Sequence, residues 1–247
     1  MAGHSKWKNI MHKKGKTDAQ RAKTFTKIGK EITIAIKEGG PNPVSNGKLR
    51  DLIAKAKSLN VPNDNIERII KKASGADRAE YENISYEGYG PNGIAVIVEC
   101  ATDNRNRTSG DLRHYFDKFG GNLGSIGSVS YLFTKKGTVI VEAAANSDEE
   151  AFMLDALEAG AKDFVFIEGD SETSSVFEVD ADPTKVSEVS ENLSTAGYTI
   201  LSAETELIPS TYAATADEAS AINMTKLIDH LEDHDDVLNI WHNWEQA

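Results

Sequence analysis

Apolar residues in the first third of the chain recur at helical spacing. Between residues 17 and 38 they fall every three or four positions and would line one helix face: Phe25, Ile28, Ile32 and Ile36. The glycine-glycine-proline run at 39–41 would end this helix. The same periodicity predicts a second helix over about 46–59 and a third over 62–75. Because three short-linked helices can bury their apolar faces together, we expect a small helical domain.

After residue 80 the apolar residues run in short strand-like stretches instead. The turn sequence GYGPNG separates the first two of these stretches. Near the end of the chain, helical spacing returns once and a last short strand follows. The predicted elements are strands over 81–87, 94–101, 129–133 and 236–244, and helices over 102–119 and 217–233.

Residues 137–207 form a self-contained pattern of strand, helix, strand, strand, helix and strand. This is the ferredoxin-like order, so the stretch could close as a domain by itself. The elements on either side of it would complete another α+β domain. The predicted fold class is therefore multidomain α and α+β, with an N-terminal three-helix domain followed by two ferredoxin-like-type α/β domains, one inserted into the other. The predicted boundaries are 1–80 for the helical domain, 81–134 with 208–247 for the middle domain, and 135–207 for the insert.

Composition supports a soluble multidomain protein. Of the 247 residues, 39% are hydrophobic and 27% charged, and no apolar run reaches the roughly 18 residues of a membrane span. No apolar segment follows the N-terminal lysines, so the pattern is not that of a secretory signal. The single cysteine, Cys100, excludes an internal disulfide. We therefore expect a cytoplasmic protein.

Charge is divided sharply along the sequence. The whole chain carries a formal charge of -12, yet residues 1–80 hold 18 basic and 8 acidic side chains, a balance of +10. The remaining 81–247 hold 9 basic and 31 acidic side chains, a balance of -22. Such a split indicates a polyanionic partner for the basic part. The acidic part would be repelled by that partner and would orient the protein on it.

The strongest candidate site is the basic N-terminal arm, residues 1–16. Lysines neutralise phosphates and a tryptophan can stack on a base, so this arm is predicted to bind nucleic acid, together with the polar side of the first helix. The alternative is a solvated basic tail whose tryptophan covers the helical core. Charge alone does not separate DNA from RNA. The candidate residues are Lys6, Trp7, Lys8, His12, Lys13, Lys14 and Lys16 in the arm, and Arg21, Lys23, Lys27 and Lys30 in the helix.

Arg105 and Arg107 open the helix predicted over 102–119. They could grip phosphates. They could equally be the exposed start of a helix capped by Thr102 or Asp103. The sequence favours neither of these two interpretations over the other.

Other chemically suggestive residues favour structural interpretations. His230 and His234 have a spacing that can bind zinc, but no cysteine or adjacent glutamate supports them, so a solvated helix face is preferred. Cys100 lacks a CxxC partner and is interpreted as a buried strand residue. The chain contains no phosphate loop, dinucleotide fingerprint or nucleophile elbow. We therefore expect no enzyme activity, metal, cofactor or small-molecule substrate.

Five segments together carry a family resemblance: MAGHSKWKNIMHKKGKTDAQRAKTFTKIGKEI, GGPNPVSNGKLRDLIAKAKSLNVPNDNIERIIKKA, YEGYGPNGIAVIVECATDNRNRT, GGNLGSIGSVSYLF and DDVLNIWHNWE. They resemble the YebC/PmpR family, whose members are usually described as probable transcriptional regulators. The resemblance implies a helical domain, two α/β domains and a DNA-binding role in the cytoplasm. Mitochondrial relatives act as translational activators, which makes the ribosome or an RNA a rival partner. The family offers no defined catalytic residues, and only the basic and aromatic positions of 3–30 are carried over as binding residues.

Three functional hypotheses follow. The first is a DNA-binding transcriptional regulator that uses the basic arm and first helix. The second is a ribosome-associated translation factor that binds ribosomal RNA through the same arm. The third, an enzyme with a site between the two α+β domains, has the least support. Few Arg, Asn or Gln side chains in the basic part are placed to read base edges, so strong sequence specificity is not expected.

Overall fold

The structure, a computed structural model, describes residues 18–75, 80–143, 148–169 and 174–245. These ranges contain seven α-helices and eight β-strands. The helices are α1 (Asp18–Gly39), α2 (Gly47–Ser58), α3 (Asn63–Ala73), α4 (Arg105–Lys118), α5 (Glu149–Ala159), α6 (Val186–Thr195) and α7 (Glu218–Asp233). The strands are β1 (Glu82–Tyr89), β2 (Ala95–Thr102), β3 (Asn122–Leu123), β4 (Phe133–Glu142), β5 (Asp163–Ile167), β6 (Val176–Ala181), β7 (Ile200–Pro209) and β8 (Val237–His242).

The chain forms two compact units. The first contains residues 18–75 and 135–206, and the second contains 80–134 and 207–245. The helical region and the insert, separate domains in the sequence-based division, thus contribute to one unit, and that division stays a prediction. None of the helices in the described part of the chain has both the length and the apolar character needed to cross a membrane.

Helices α1–α3 pack around a shared apolar core, as the periodicity predicts. Ile32 of α1 and Leu49 of α2 are fully buried, and Ile66 of α3 is nearly so. Each such side chain stabilises the bundle by about 1.5–3 kcal/mol relative to an exposed position. The α1 stripe therefore faces the bundle.

Asn46 fixes the loop that joins α1 to α2. Gly40 follows α1 with φ +83°, a left-handed conformation that ends the helix at little steric cost. The amide Nδ2 of Asn46 donates to the carbonyl oxygens of Ala35 and Gly40, both at 2.8 Å. Its Oδ1 accepts from the backbone N–H of Leu49 at 3.1 Å and so caps α2. One buried side chain thus satisfies three backbone groups at the bend.

The insert has the ferredoxin-like order predicted for it. Its strands lie in the order β5-β6-β4-β7, and α5 and α6 pack on one face. Phe152 of α5 stacks on Phe177 of β6 with ring centroids 3.9 Å apart. On the opposite face, Leu59 at the end of α2 packs against a small cluster that contains Ile140 and Val176. The helical region thus contacts the insert through apolar groups at this face.

The second unit contains an antiparallel sheet of order β3-β1-β2-β8. Helices α4 and α7 cover one face through Phe116, Leu227 and neighbouring side chains. Like the insert, this unit has a four-stranded sheet with two helices on one face. Its elements follow a different order along the chain: strand, strand, helix, strand, helix and strand. After α4, Gly120 has φ +81°, and a Cβ at Gly121 would collide with the carbonyl oxygen of Tyr89. Helix α4 therefore ends at this pair of glycines.

The strand predicted over 129–133 is wrong. Ser130–Leu132 form a 3₁₀ turn, and the strand begins at Phe133 and continues into the insert. The cause is the carboxylate of Glu87, which accepts hydrogen bonds from the N–H groups of Gly127, Val129 and Ser130, all at 2.8 Å. These amides are therefore not available to a strand ladder. Burial raises the pKa of Glu87, but the backbone hydrogen bonds outweigh it and hold that pKa below its usual value.

Replacing Asn46 with alanine should lower the free energy of unfolding by about 2–3 kcal/mol. The substitution removes a helix cap and leaves two carbonyl groups without their donor. Urea unfolding followed by far-ultraviolet circular dichroism measures the change. Asn42→Ala in the same loop is the matched control, because the side chain of Asn42 accepts an exposed local bond from the N–H of Val44 and its loss should cost less than about 1 kcal/mol. Equal effects of the two changes would contradict the role given to Asn46.

Candidate nucleic-acid interface

Seven of the eleven predicted binding residues lie outside the described residues. They are Lys6, Trp7, Lys8, His12, Lys13, Lys14 and Lys16. The other four, Arg21, Lys23, Lys27 and Lys30, lie on α1. Helix α1 is therefore the part of the predicted interface that the structure describes.

The first turns of α1 carry three basic side chains, Arg21, Lys23 and Lys27. Arg21 is exposed, and Lys23 and Lys27 are half-buried. Because Lys23 and Lys27 are four residues apart, they lie on the same side of the helix. That side is opposite the stripe of Ile28 and Ile32, so the core fixes its direction.

Lys30 does not share this exposure. Its side chain is only 8% exposed, although it lies away from the stripe that faces α2 and α3. Ile34, four residues later on the same side, is also buried. Helix α1 therefore buries residues on two sides, whereas the sequence pattern indicated one apolar stripe. The exposed part of the predicted surface on α1 ends before Lys30.

A second group of exposed basic residues lies on α3 and was not singled out in the sequence. Arg68, Lys71 and Lys72 are all exposed in the second half of this helix. Lys71 and Lys72 occupy the last turn, where cations interact favourably with the helix dipole. The sequence signal for these residues is the concentration of basic side chains on the polar face of the helix, opposite Ile66. It becomes visible when that face is inspected for charge as well as for apolar periodicity.

A buried polar contact joins α2 to α6 of the insert. The carboxylate of Asp51 accepts from the hydroxyl groups of Ser187 at 2.6 Å and Ser190 at 3.0 Å. Beside it, Arg50 donates to the backbone oxygen of Ser187 at 3.3 Å and to Glu191 at 3.2 Å. Burial raises the pKa of Asp51, and the serine hydrogen bonds and Arg50 only partly offset that effect. The basic helices are thus held to the acidic insert by polar groups.

Lys55 of α2 connects α1 to the insert. Its Nζ lies 3.1 Å from Glu31 Oε2 on α1 and 2.5 Å from Glu204 Oε1 on β7, and all three side chains are at most 16% exposed. Burial lowers the pKa of Lys55, but the two carboxylates outweigh it and raise that pKa above its ordinary value. Lys55 therefore stays charged and fixes α1, with its basic side chains, relative to the insert sheet.

Arg105 and Arg107 are engaged by acidic side chains. Arg107 Nη2 lies 2.9 Å from both Asp103 Oδ1 and Asp236 Oδ2, and Arg105 Nε lies 3.5 Å from a carboxylate oxygen of Glu82. The cap of α4 is Asn104, whose Oδ1 accepts from the N–H of Arg107, so the expected caps Thr102 and Asp103 are wrong. The structure therefore favours the helix-start interpretation of this segment.

The two histidines of α7 pack among protein groups. His234 is only 9% exposed in its side chain, and its Nε2 lies 3.2 Å from Asp111 Oδ2. The ring of His230 meets that of Phe119 edge-on at 4.7 Å. Among the residues that the structure describes, no group of three or more metal-ligating side chains comes together. Cys100 is fully buried on β2, which confirms its interpretation as a packing residue.

These features define a class of protein: a basic helical region followed by two antiparallel α+β sheets, one of which is formed largely by an insert in the sequence of the other. Two family models cover nearly the whole chain. The N-terminal domain of the TACO1/YebC protein matches residues 5–76, and the TACO1/YebC second and third domain matches residues 81–244. The chain belongs to the TACO1/YebC family.

Relatives of high similarity span the full chain. A probable transcriptional regulatory protein of Acetivibrio thermocellus is 53% identical over 99% of both chains. Another of that name, from Ruminiclostridium cellulolyticum, is 55% identical over 100% of this chain and 97% of the relative. A conserved hypothetical protein from Aquifex aeolicus, known from a crystal structure, is 43% identical with a TM-score of 0.80, covering 98% of this chain and 97% of that one. The fold seen here is therefore shared with an experimental structure.

Lys55→Met should lower the free energy of unfolding by about 3–5 kcal/mol, because it leaves two largely buried carboxylates facing each other without a cation. Urea unfolding of the first unit measures this change. Lys48→Met is the matched control, since the Lys48–Glu38 pair is about half exposed and should contribute at most about 1 kcal/mol. A Lys55 variant as stable as the Lys48 variant would refute the proposed link between α1 and the insert.

Asp51→Asn should change how stability depends on pH. Because the folded-state pKa is raised, the folded chain holds the Asp51 proton more tightly than the unfolded chain. The wild type should therefore lose stability relative to the variant as pH rises from the ordinary value of 3.8 through the raised pKa. Above that pKa the difference should be constant. Urea unfolding of both proteins at a series of pH values tests the sign, and a difference independent of pH contradicts it.

Proposed function

We propose that this protein is a DNA-binding transcriptional regulator that contacts nucleic-acid phosphates through its basic N-terminal arm and α1. The observation that carries the proposal is the division of charge, +10 over residues 1–80 against -22 over the rest. The names of the bacterial relatives support it. The protein acts in the cytoplasm, without catalysis, cofactor or small-molecule substrate.

Contacts of this kind position a protein without reading the sequence. Lysine presents a compact charge to a phosphate, whereas base edges are read mainly by Arg, Asn and Gln. The described part of α1 carries Arg21 in its first turn and Lys23 and Lys27 on the side opposite the apolar stripe, so the helix is suited to following a backbone. The acidic residues of 81–247 are repelled by the same polyanion, which favours binding through the basic part of the chain. Binding is therefore strongly dependent on salt and weakly dependent on sequence.

The same composition favours one second candidate, a ribosome-associated translation factor. A surface that recognises phosphates and not bases binds structured ribosomal RNA as well as duplex DNA. In this case the arm enters RNA, and the acidic part of the chain, residues 81–247, faces solvent or basic ribosomal proteins. The two candidates share the contact residues and differ in the target.

Substituting Lys6, Lys8, Lys13 and Lys14 with alanine should weaken duplex binding. Each lost phosphate contact removes roughly 0.9 from the slope of log K against log salt, so this slope should fall in magnitude by roughly 3 to 4. Fluorescence anisotropy between about 50 and 200 mM salt measures it. Removing three basic residues of α1 should act in the same direction: Arg21→Ala, Lys23→Ala and Lys27→Ala.

The matched control changes three exposed basic residues of the acidic second unit: Arg113→Ala, Lys118→Ala and Lys226→Ala. It alters the net charge as much as the α1 variant does, yet it should leave the salt slope within experimental error. An arm variant with the wild-type slope would refute the proposed contact. An equal loss in the control would show that total charge, not the basic surface, governs binding.

Crosslinking in cells separates the two targets. The intact chain and a form lacking residues 1–16 are crosslinked to nucleic acid, and the captured fragments are sequenced. Promoter DNA that is lost with the arm supports the regulator. Ribosomal RNA clustered at one position identifies the translation factor instead. Co-sedimentation with ribosomes at moderate salt, lost when residues 1–16 are removed, provides the independent measurement.

A further inference from the structure

Helix α5 of the insert is apolar on its outer side as well as its inner side. Phe152 and Ala156 face the sheet and are buried. Met153, Leu154 and Leu157 remain 43%, 61% and 56% exposed. At helical spacing these three side chains are neighbours, so they form one continuous patch. Single exposed leucines are ordinary, but a patch on a folded helix indicates a surface that binds something.

The patch is bordered by acidic groups. The eleven residues of α5 include four acidic side chains and no Lys or Arg. Glu149, Glu150 and Glu158 are exposed beside the patch, whereas Asp155 turns to accept a 2.7 Å hydrogen bond from the hydroxyl of Tyr198. Helix α6 packs beside α5 and adds the exposed Glu188. The outer side of α5 thus combines an apolar centre with an acidic rim.

We propose that the outer face of α5 is a docking surface for a lysine- or arginine-rich amphipathic helix of a partner protein. The apolar side of such a helix covers Met153, Leu154 and Leu157, and its basic flanks meet the acidic rim. Charge complementarity selects this occupant. A second copy of the chain would bring the same acidic rims together, and nucleic acid or an anionic membrane would be repelled. The surface is therefore distinct from the basic interface of α1.

The probe is a designed helical peptide of about 18 residues with leucines on one side and lysines on the other. Fluorescence anisotropy with the full chain should show saturable binding that weakens as salt increases. The same peptide with glutamate in place of lysine should bind at least about tenfold more weakly. The double variant Leu154→Ser and Leu157→Ser should lose at least about tenfold in affinity, because two anchoring side chains are removed.

Val165→Ser is the matched control. Val165 is 60% exposed in the same insert, but it lies on β5 between Phe164 and Phe166, which pack on the helix side, so it points to the other face of the sheet. This variant should bind the peptide within about twofold of wild type. A second pair, Glu150→Gln and Glu158→Gln, leaves the apolar patch intact and should reduce both the affinity and its salt dependence. Circular dichroism checks that every variant is folded.

Several results would overturn the proposal. These are equal binding of the lysine and glutamate peptides, an unchanged affinity in the leucine variant, or an equal loss in Val165→Ser. Tighter binding of a peptide spanning residues 1–16 of this chain would make the occupant a segment of the protein itself. A dimer abolished by the leucine variant would make it a second copy. The leucine variant should keep wild-type DNA binding, so failure here is distinguishable from failure of the proposed regulator function.

Discussion

The charged cluster of Lys55, Glu31 and Glu204 is the interaction on which the arrangement of the first unit depends. It takes one residue from each of α1, α2 and β7, so it joins segments that are far apart in sequence. Apolar packing alone is tolerant of sliding, whereas a buried cation with two carboxylates has few acceptable geometries. The adjacent contact of Asp51 with Ser187 and Ser190 has the same character. The cluster and this contact fix the direction in which α1 presents its basic side chains.

This arrangement has an electrostatic consequence. The basic helices belong to the same compact unit as the acidic insert. One unit therefore carries both a positively charged and a strongly negatively charged part. A polyanion that approaches the unit is attracted to one side and repelled by the other. Orientation therefore arises from the fold, without contacts to specific bases. A net charge of -12 is therefore compatible with the proposed binding to nucleic acid.

Much of the fold was predictable because its elements have clear periodicity. The helix of 17–38 and the ferredoxin-like order of 137–207 follow from apolar spacing, which a single sequence displays. The prediction of a strand over 129–133 was wrong because the carboxylate of Glu87, some forty residues earlier, accepts hydrogen bonds from the N–H groups of Val129 and Ser130. The prediction that Lys30 lies on the exposed basic surface was wrong because α1 buries residues on a second side. Both errors come from tertiary contacts, which periodicity does not record. The basic composition of the candidate site was predictable, but its anchoring through Lys55 was not.

Buried polar side chains in both units serve a common purpose. Asn46 holds the loop between α1 and α2, and Glu87 holds the loop before β4, each through three hydrogen bonds to backbone groups. Each loop displays a large apolar side chain, Val44 in one and Ile126 in the other, that is 83% exposed. Neither of these two side chains holds its loop by apolar packing, because each points outward. Polar groups beneath the loops therefore help to maintain their shape, alongside the buried Val129 in the second loop, at the cost of burying an amide and a carboxylate.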